Sequence, residues 1–245
     1  MITRSDFDLA RFTVLGESYG AGGIGVLSER SMHRILKLCI EPREEFHEVK
    51  LLGSVADIMN GERVYEIQTK AFARLKPKLE KFLPHYPVTV VYPLVYEKYI
   101  RWIDKETGET STRRKSPKRS TVFDSFYELY NIREFLCDKN LTVKLVLLNV
   151  EEYKYRVSIK GRRKRSERLE QIPTSIVREV DLSSPDDYRI FIPDGLAPRF
   201  CAADFNRAVG KGFSYGYSGI SILRSVGLVS DGVKEGRKTL YEIIN

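Results

Sequence analysis

The chain has 245 residues, 42% of them hydrophobic, with 41 Lys and Arg against 33 Asp and Glu and a formal net charge of +8. That length suits one large domain or two modest ones, and the apolar share excludes a wholly disordered chain. The basic balance points to a polyanionic partner rather than an acidic-surface binder.

Cys39, Cys137 and Cys201 lie far apart, without CxxC or Cys/His spacing. A thiolate zinc site and a disulfide framework are therefore excluded, and buried thiols in a reducing cytosol are expected. Asp6 and Asp8 stand where a signal peptide would carry basic residues, and apolar runs such as 143–150 are too short to span a bilayer. The reading is a cytoplasmic protein with no membrane partner.

In chain order, the first segment to about Gly25 reads as irregular, with a glycine-rich run over 20–25 that does not fit GxGxxG. From Ser28 to Ile40, Met32, Ile35, Leu36, Cys39 and Ile40 recur at helical spacing, and Pro42 stops the helix. Strands follow over Phe46–Leu52 and Val55–Met59, then Asn60-Gly61 as a two-residue hairpin turn and a partner strand from Glu62 to Thr69. A helix carries Phe72, Leu75, Leu79, Phe82 and Leu83, with Pro77 near its start. Val88–Tyr92 is a continuous β-rich run between prolines, as a buried strand requires. A second hairpin joins Tyr99–Ile103 to Glu109–Arg113, an amphipathic helix spans Val122–Leu136, and a strand spans Leu141–Val157. Near the C-terminus, two short helices (Ala202–Val209, Ser218–Val226) precede a basic hairpin, which is a winged-helix pattern.

A two-residue turn at Asn60-Gly61 places Met59 opposite Glu62 and Asp57 opposite Val64. Side chains alternate with period two, so Asp57, Glu66 and Gln68 emerge on one face. Asp57 and Glu66 become diagonal neighbours, with Cα atoms roughly 7–8 Å apart. Two carboxylates so placed can address one hard divalent cation, Mg²⁺ or Mn²⁺. On the preceding helix, Glu29 shares a stripe with Met32, Leu36 and Ile40, and a carboxylate there needs a metal or a hydrogen bond. His47 on the first strand approaches the same end, and Lys70 continues the Asp57 face if the strand runs that far. A solvated face carrying one Asp and one Glu is the plainer reading of the hairpin alone.

The order of helix acid, strand, strand Asp, hairpin, strand ExQ, helix and buried strand resembles the PD-(D/E)XK, or restriction-endonuclease-like, superfamily in its ExQ variant. The similarity is strongest over 26–93. It extends to a group of uncharacterised bacterial proteins sharing the Tyr65–Thr69 core, the Pro87–Pro93 strand, the basic Arg113–Arg119 segment and a C-terminal winged helix. The resemblance implies an α/β (α+β) core with a mixed central sheet flanked by helices, followed by a winged helix-turn-helix domain. By the same resemblance Asp57 and Glu66 hold the metal, Glu29 is the helical acid, and Gln68 stands where such enzymes carry a lysine. Glutamine can hydrogen-bond but cannot meet negative charge, so Lys70 is the substitute cation that the sequence suggests.

Arg113, Arg114, Lys115, Lys118 and Arg119 put five cations into seven residues, and Arg162, Arg163, Lys164 and Arg165 form a second run. Beside a nuclease-like core, both read as phosphate contacts. In the winged helix, Lys211, Tyr215 and Tyr217 lie at the start of the recognition helix, and Lys234, Arg237 and Lys238 lie on the wing. The expected organisation is a nuclease-like domain over 1–160, a basic connector over 161–185 and a winged helix over 186–245. The expected activity is metal-dependent hydrolysis of nucleic-acid phosphodiesters, foremost DNA. The alternative is a catalytically inactive DNA-binding regulator or adaptor on the same fold, and a homodimer is left open.

Overall fold

A computed structural model describes residues 1–20, 31–104, 107–157, 165–210 and 215–244, the side chains of 18–20, 156–157, 165–168 and 215 excepted. The chain opens with α1 (Arg4–Gly20), where an irregular segment was expected. Phe7, Ala10 and Val14 are buried at spacings of three and four, so one narrow stripe suffices to dock the helix. It packs against α2 (Ser31–Ile40), whose Met32, Ile35, Leu36 and Cys39 are also buried.

Next come β1 (His47–Leu51), β2 (Ser54–Met59) and β3 (Val64–Ile67). The tight two-residue turn lies between β1 and β2, where Leu52 and Gly53 take φ of 48° and 72°. Between β2 and β3 the expected turn at Asn60-Gly61 is corrected. Met59 pairs with Val64 and Ile58 with Tyr65, which leaves a four-residue loop. Only Gly61 has positive φ there, and Asn60 instead accepts the Arg63 N–H through its Oδ1.

A 3-10 turn over Phe72–Leu75 leads into α3 (Lys76–Phe82), and β4 (Val88–Ile103) follows. The strand passes through Pro93 because β3, its neighbour on that side, ends at Ile67 opposite Val91. The missing N–H therefore breaks no ladder bond. The second hairpin closes with β5 (Arg114–Lys115) on β4. The expected continuous helix over 122–136 is instead a 3-10 turn, the short α4 (Phe126–Tyr130) and a further 3-10 turn over Arg133–Phe135.

β6 (Leu141–Val157) and β7 (Arg165–Leu182) are antiparallel partners along most of their length. The expected connector over 161–185 is thus corrected: 165–182 is a strand. Its alternation was masked by the charged residues that a half-exposed strand carries. Among the described residues the sheet has seven strands, ordered β1-β2-β3-β4-β6-β7 with β5 on β4, and β3, β4 and β6 run parallel. The molecule is α+β, a mixed central sheet flanked by helices, with α1 and α2 on one face and α3 and α4 on the other.

The C-terminal part comprises β8 (Arg199–Cys201), α5 (Ala202–Val209), α6 (Tyr215–Ser225), β9 (Val233–Glu235) and β10 (Lys238–Glu242). Its three strands form a separate antiparallel sheet ordered β8-β10-β9. Phe205, Ile220 and Leu223 join Phe126 and Leu79 in one continuous core, so this part is docked rather than tethered. Gly219 makes the contact possible, since a Cβ there would lie 2.6 Å from Phe126 Cε2. No helix among the described residues is long and apolar enough to cross a membrane.

Candidate active site

The β2–β3 register, continued one residue beyond Ile58 and Tyr65, sets Asp57 opposite Glu66. That is a shift of two residues from the expected pairing. A shift of two preserves the parity of a strand, yet the two side chains find partners on opposite sides of the sheet, Asp57 with His33 on α2 and Glu66 with Lys78 on α3. No ladder pair forms beyond Ile58 and Tyr65, and Asp57 replaces the missing backbone acceptor: its Oδ2 takes the Ile67 N–H at 2.7 Å.

Asp57 Oδ2 also lies 3.2 Å from His33 Nε2 on α2. Burial acts to raise the Asp57 carboxyl. The hydrogen bond and charge of His33, with the Ile67 N–H and Lys78, outweigh it and hold the group below its ordinary value. Glu66 behaves oppositely. It is 1% exposed, and burial followed by the charge of Asp57 pushes it up to about 7, against the pull of Lys78. Lys78 Nζ donates to Oε2 at 2.7 Å. Oε1 is buried and has no hydrogen-bond partner among the described residues. A buried, half-satisfied carboxylate beside an ionised one is costly unless a cation meets it.

Asp57 opens onto a cleft of about 1150 Å³, lined in part by His33, Ile67, Gln68, Lys70 and Arg74. Gln68 Nε2 donates to the carbonyl of Lys70 at 2.5 Å, so its amide is turned along its own chain. The expectation that Lys70 follows the strand alternation is corrected, because β3 ends at Ile67. Lys70 still reaches the cleft, from the loop beyond. Lys70 and Arg74 form no ion pair among the described residues, whereas Arg34 and Lys37 are tied to Glu44 and Glu48. His47 lines the cleft but binds the Glu41 carbonyl through Nε2 at 2.7 Å, away from the carboxylates.

The loop itself is held from behind. Glu128 of α4, buried, accepts the N–H groups of Ala71 at 3.0 Å and Phe72 at 2.8 Å. Ala71 sits at φ 60°, a left-handed conformation that a non-glycine residue keeps only when its surroundings impose it.

Glu29, Arg162, Arg163, Lys164 and Lys211 lie outside the described residues, as do the side chains of Arg165 and Tyr215. The cluster at 113–119 is less free than expected. Arg113 pairs with Glu151, and Lys115 and Arg119 both pair with Glu97, while Arg114 and Lys118 are exposed. Arg113 also lies 3.6 Å above the Tyr99 ring. Lys234 and Lys238 face each other's strands across the β9–β10 hairpin, with Arg237 in its turn. Tyr217 is 72% exposed on α6.

Two functional side chains escaped the sequence reading. Lys78 occupies the second place of the stripe Leu75, Lys78, Leu79, Phe82, and a cation on a core-facing stripe was the available signal. His33 adjoins the buried Met32 but carries no comparable pattern.

Residues 30–183 match the model of a family described as a domain of unknown function (DUF8091). The chain belongs to this family. The matched span takes in α2, the whole seven-stranded sheet, the carboxylate pair and Lys78, and stops where β7 ends. The DUF8091 chain is also 30% identical over 226 residues to an uncharacterized protein of Treponema pallidum (strain Nichols), covering 89% of this chain and 86% of that one. No solved structure matches it.

Proposed function

We propose that this protein is a metal-dependent nuclease, with Asp57 and Glu66 at its centre on a restriction-endonuclease-like core and a winged helix at the C-terminus. The observation that carries the reading is the orphaned, buried Oε1 of Glu66 beside an ionised Asp57, which itself lines a cation-rimmed cleft. The strand order β8-β10-β9 around α5 and α6 supports the winged helix.

Among the described residues no group of three or more His, Cys, Asp or Glu side chains is placed to hold a metal. A pair of carboxylates still fits Mg²⁺ or Mn²⁺, which keep several waters and need one or two protein oxygens together with substrate phosphate. Asp57 and Glu66 would hold the ion. Once bound, it supplies a polarised phosphate oxygen and a water of lowered pKa. The other roles fall to the chain itself. Lys70 and Arg74 meet phosphate charge at the mouth of the cleft. Lys78 supplies the positive charge beside Glu66 that Gln68 cannot. His33 and the Ile67 N–H fix the orientation of Asp57.

One observation favours the inactive alternative, a DNA-binding regulator or adaptor: the Gln68 amide is engaged by the Lys70 carbonyl rather than turned to the carboxylates. A cleavage assay separates the two. Single- and double-stranded DNA and RNA are incubated with Mg²⁺ or Mn²⁺, using wild type, Asp57→Ala and Glu66→Gln. Cutting that needs metal and is lost in both folded variants is the expected result. Salt-sensitive binding of DNA without any cutting overturns the nuclease reading in favour of the regulator.

A further inference from the structure

While Glu128 reaches inward from α4 to hold the cleft loop, its neighbour Tyr127 turns outward and is 72% exposed. Tyr130, at the end of the same helix, meets Tyr217 of α6 with ring centroids 5.7 Å apart, and Tyr217 is equally exposed. The Arg133 guanidinium lies 4.2 Å from the Tyr130 ring centroid and donates to the Tyr130 carbonyl at 2.9 Å. It forms no ion pair among the described residues. Two phenol rings and a cation therefore meet in a ledge across the α4–α6 junction, and the exposed Tyr127 stands three residues before Tyr130 on α4.

The ledge is rigidly founded. Gly219 brings α6 against Phe126 and Phe205, and the Gly216 N–H donates to Asn206 Oδ1 at 2.7 Å. What such a surface suits follows from its chemistry. Reading base edges in a duplex needs hydrogen-bonding side chains along an exposed helix face. On α6 the cation Arg224 is tied to Asp231, and Ser225 donates its hydroxyl to the Ile222 carbonyl. Unpaired bases need only ring faces and a nearby positive charge, because every base has a π face.

We propose that this ledge binds the unpaired bases of a single-stranded nucleic acid, with Tyr127, Tyr130 and Tyr217 stacking on them and Arg133 facing the backbone. The proposal rests on the nucleic-acid reading above and names its substrate as a single strand, or a duplex with a flayed end. Its continuity with the cleft is structural. The helix that presents Tyr127 and Tyr130 is the one that holds Ala71 and Phe72, so a strand on the ledge lies about one helix diameter from the cleft loop.

The test is fluorescence anisotropy with labelled oligo-dT, oligo-rU and a DNA duplex of equal length, on the full chain in EDTA so that no cutting intervenes. The double variant Tyr127→Ala/Tyr217→Ala is expected to bind oligo-dT about tenfold more weakly, as the loss of stacked bases implies. Duplex affinity should stay within about twofold, and Tyr217→Phe, which keeps the ring, should bind as wild type does. Thermal melting of each variant confirms its fold. Unchanged oligo-dT affinity in the double variant, an equal loss on duplex, or no single-strand binding by wild type overturns the ledge. The oligo-rU arm decides between DNA and RNA. A wild type that binds oligo-dT through the ledge but never cuts it with Mg²⁺ or Mn²⁺ loses the nuclease reading and keeps the ledge.

Discussion

Lys78 Nζ lies 2.7 Å from Oε2 of Glu66, yet the Glu66 carboxyl is still pushed up to about 7. Burial and the facing charge of Asp57 outweigh one ion pair whose other oxygen has no partner. A buried ion pair with one oxygen unsatisfied is weak evidence for stability.

The pH dependence of stability follows from that shift. An unfolded Glu titrates near about 4.3, so folded Glu66 binds its proton more tightly than the unfolded chain does. The contribution of Glu66 to stability then falls as pH rises from about 4.3 to about 7. Glu66→Gln should remove this loss and raise stability above pH 7 by roughly 2–3 kcal/mol. Thermal melts of both proteins across that range provide the check. Parallel pH profiles would show that Glu66 carries no such shift.

Removing the carboxylate of Glu128 strands two N–H groups, the half-buried one of Ala71 and the buried one of Phe72. Glu128→Ala should cost about 1–3 kcal/mol in denaturant unfolding. Amide exchange at Phe72 should accelerate more than at Val90, which lies in the central strand. An unchanged exchange rate at Phe72 would mean that the strained loop does not depend on this clamp.

Two glycines in helices should respond in opposite senses to alanine. At Gly219 the new Cβ meets Phe126 at 2.6 Å and Phe205 at 2.8 Å, so Gly219→Ala should destabilise by about 1–3 kcal/mol. At Gly16, inside α1, nothing lies within 4 Å, and Gly16→Ala should stabilise by about 0.5–1 kcal/mol. Urea midpoints measured side by side test both signs.

The three thiols should separate by reactivity. Cys137 is exposed, whereas Cys39 and Cys201 are buried, and burial pushes the Cys39 thiol up to about 12. A disulfide reagent should label Cys137 rapidly in the native protein and the other two only on unfolding. Fast native labelling of Cys39, located by mass spectrometry, would contradict its buried position between α1 and α2.

Elements whose signal is a short-range period were legible. The stripe of α2, the alternation of β1 to β3 and the apolar start of β4 each need only a few neighbouring residues to declare themselves. Other features failed where long-range contacts decide. α1 looks irregular because just three apolar residues dock it. β7 looks like a linker because a half-exposed strand carries many charges. The segment over 122–136 divides into a 3-10 turn, α4 and a second 3-10 turn, although Phe126, Leu129, Ile132 and Leu136 keep a helix-like stripe that enters one core.

By itself the sequence determined that Asp57 and Glu66 come close across β2 and β3, because parity along a strand is a local property that a two-residue slip leaves intact. It also determined that Gln68, a neutral residue, stands two places after Glu66. Only the tertiary structure decided that Lys78 supplies the charge beside Glu66, that His33 meets Asp57, and that Glu128 ties α4 to the cleft loop. Those partners lie 12, 24 and 57 residues away along the chain. No local period encodes such separations; the packing of helices on the sheet brings the groups together.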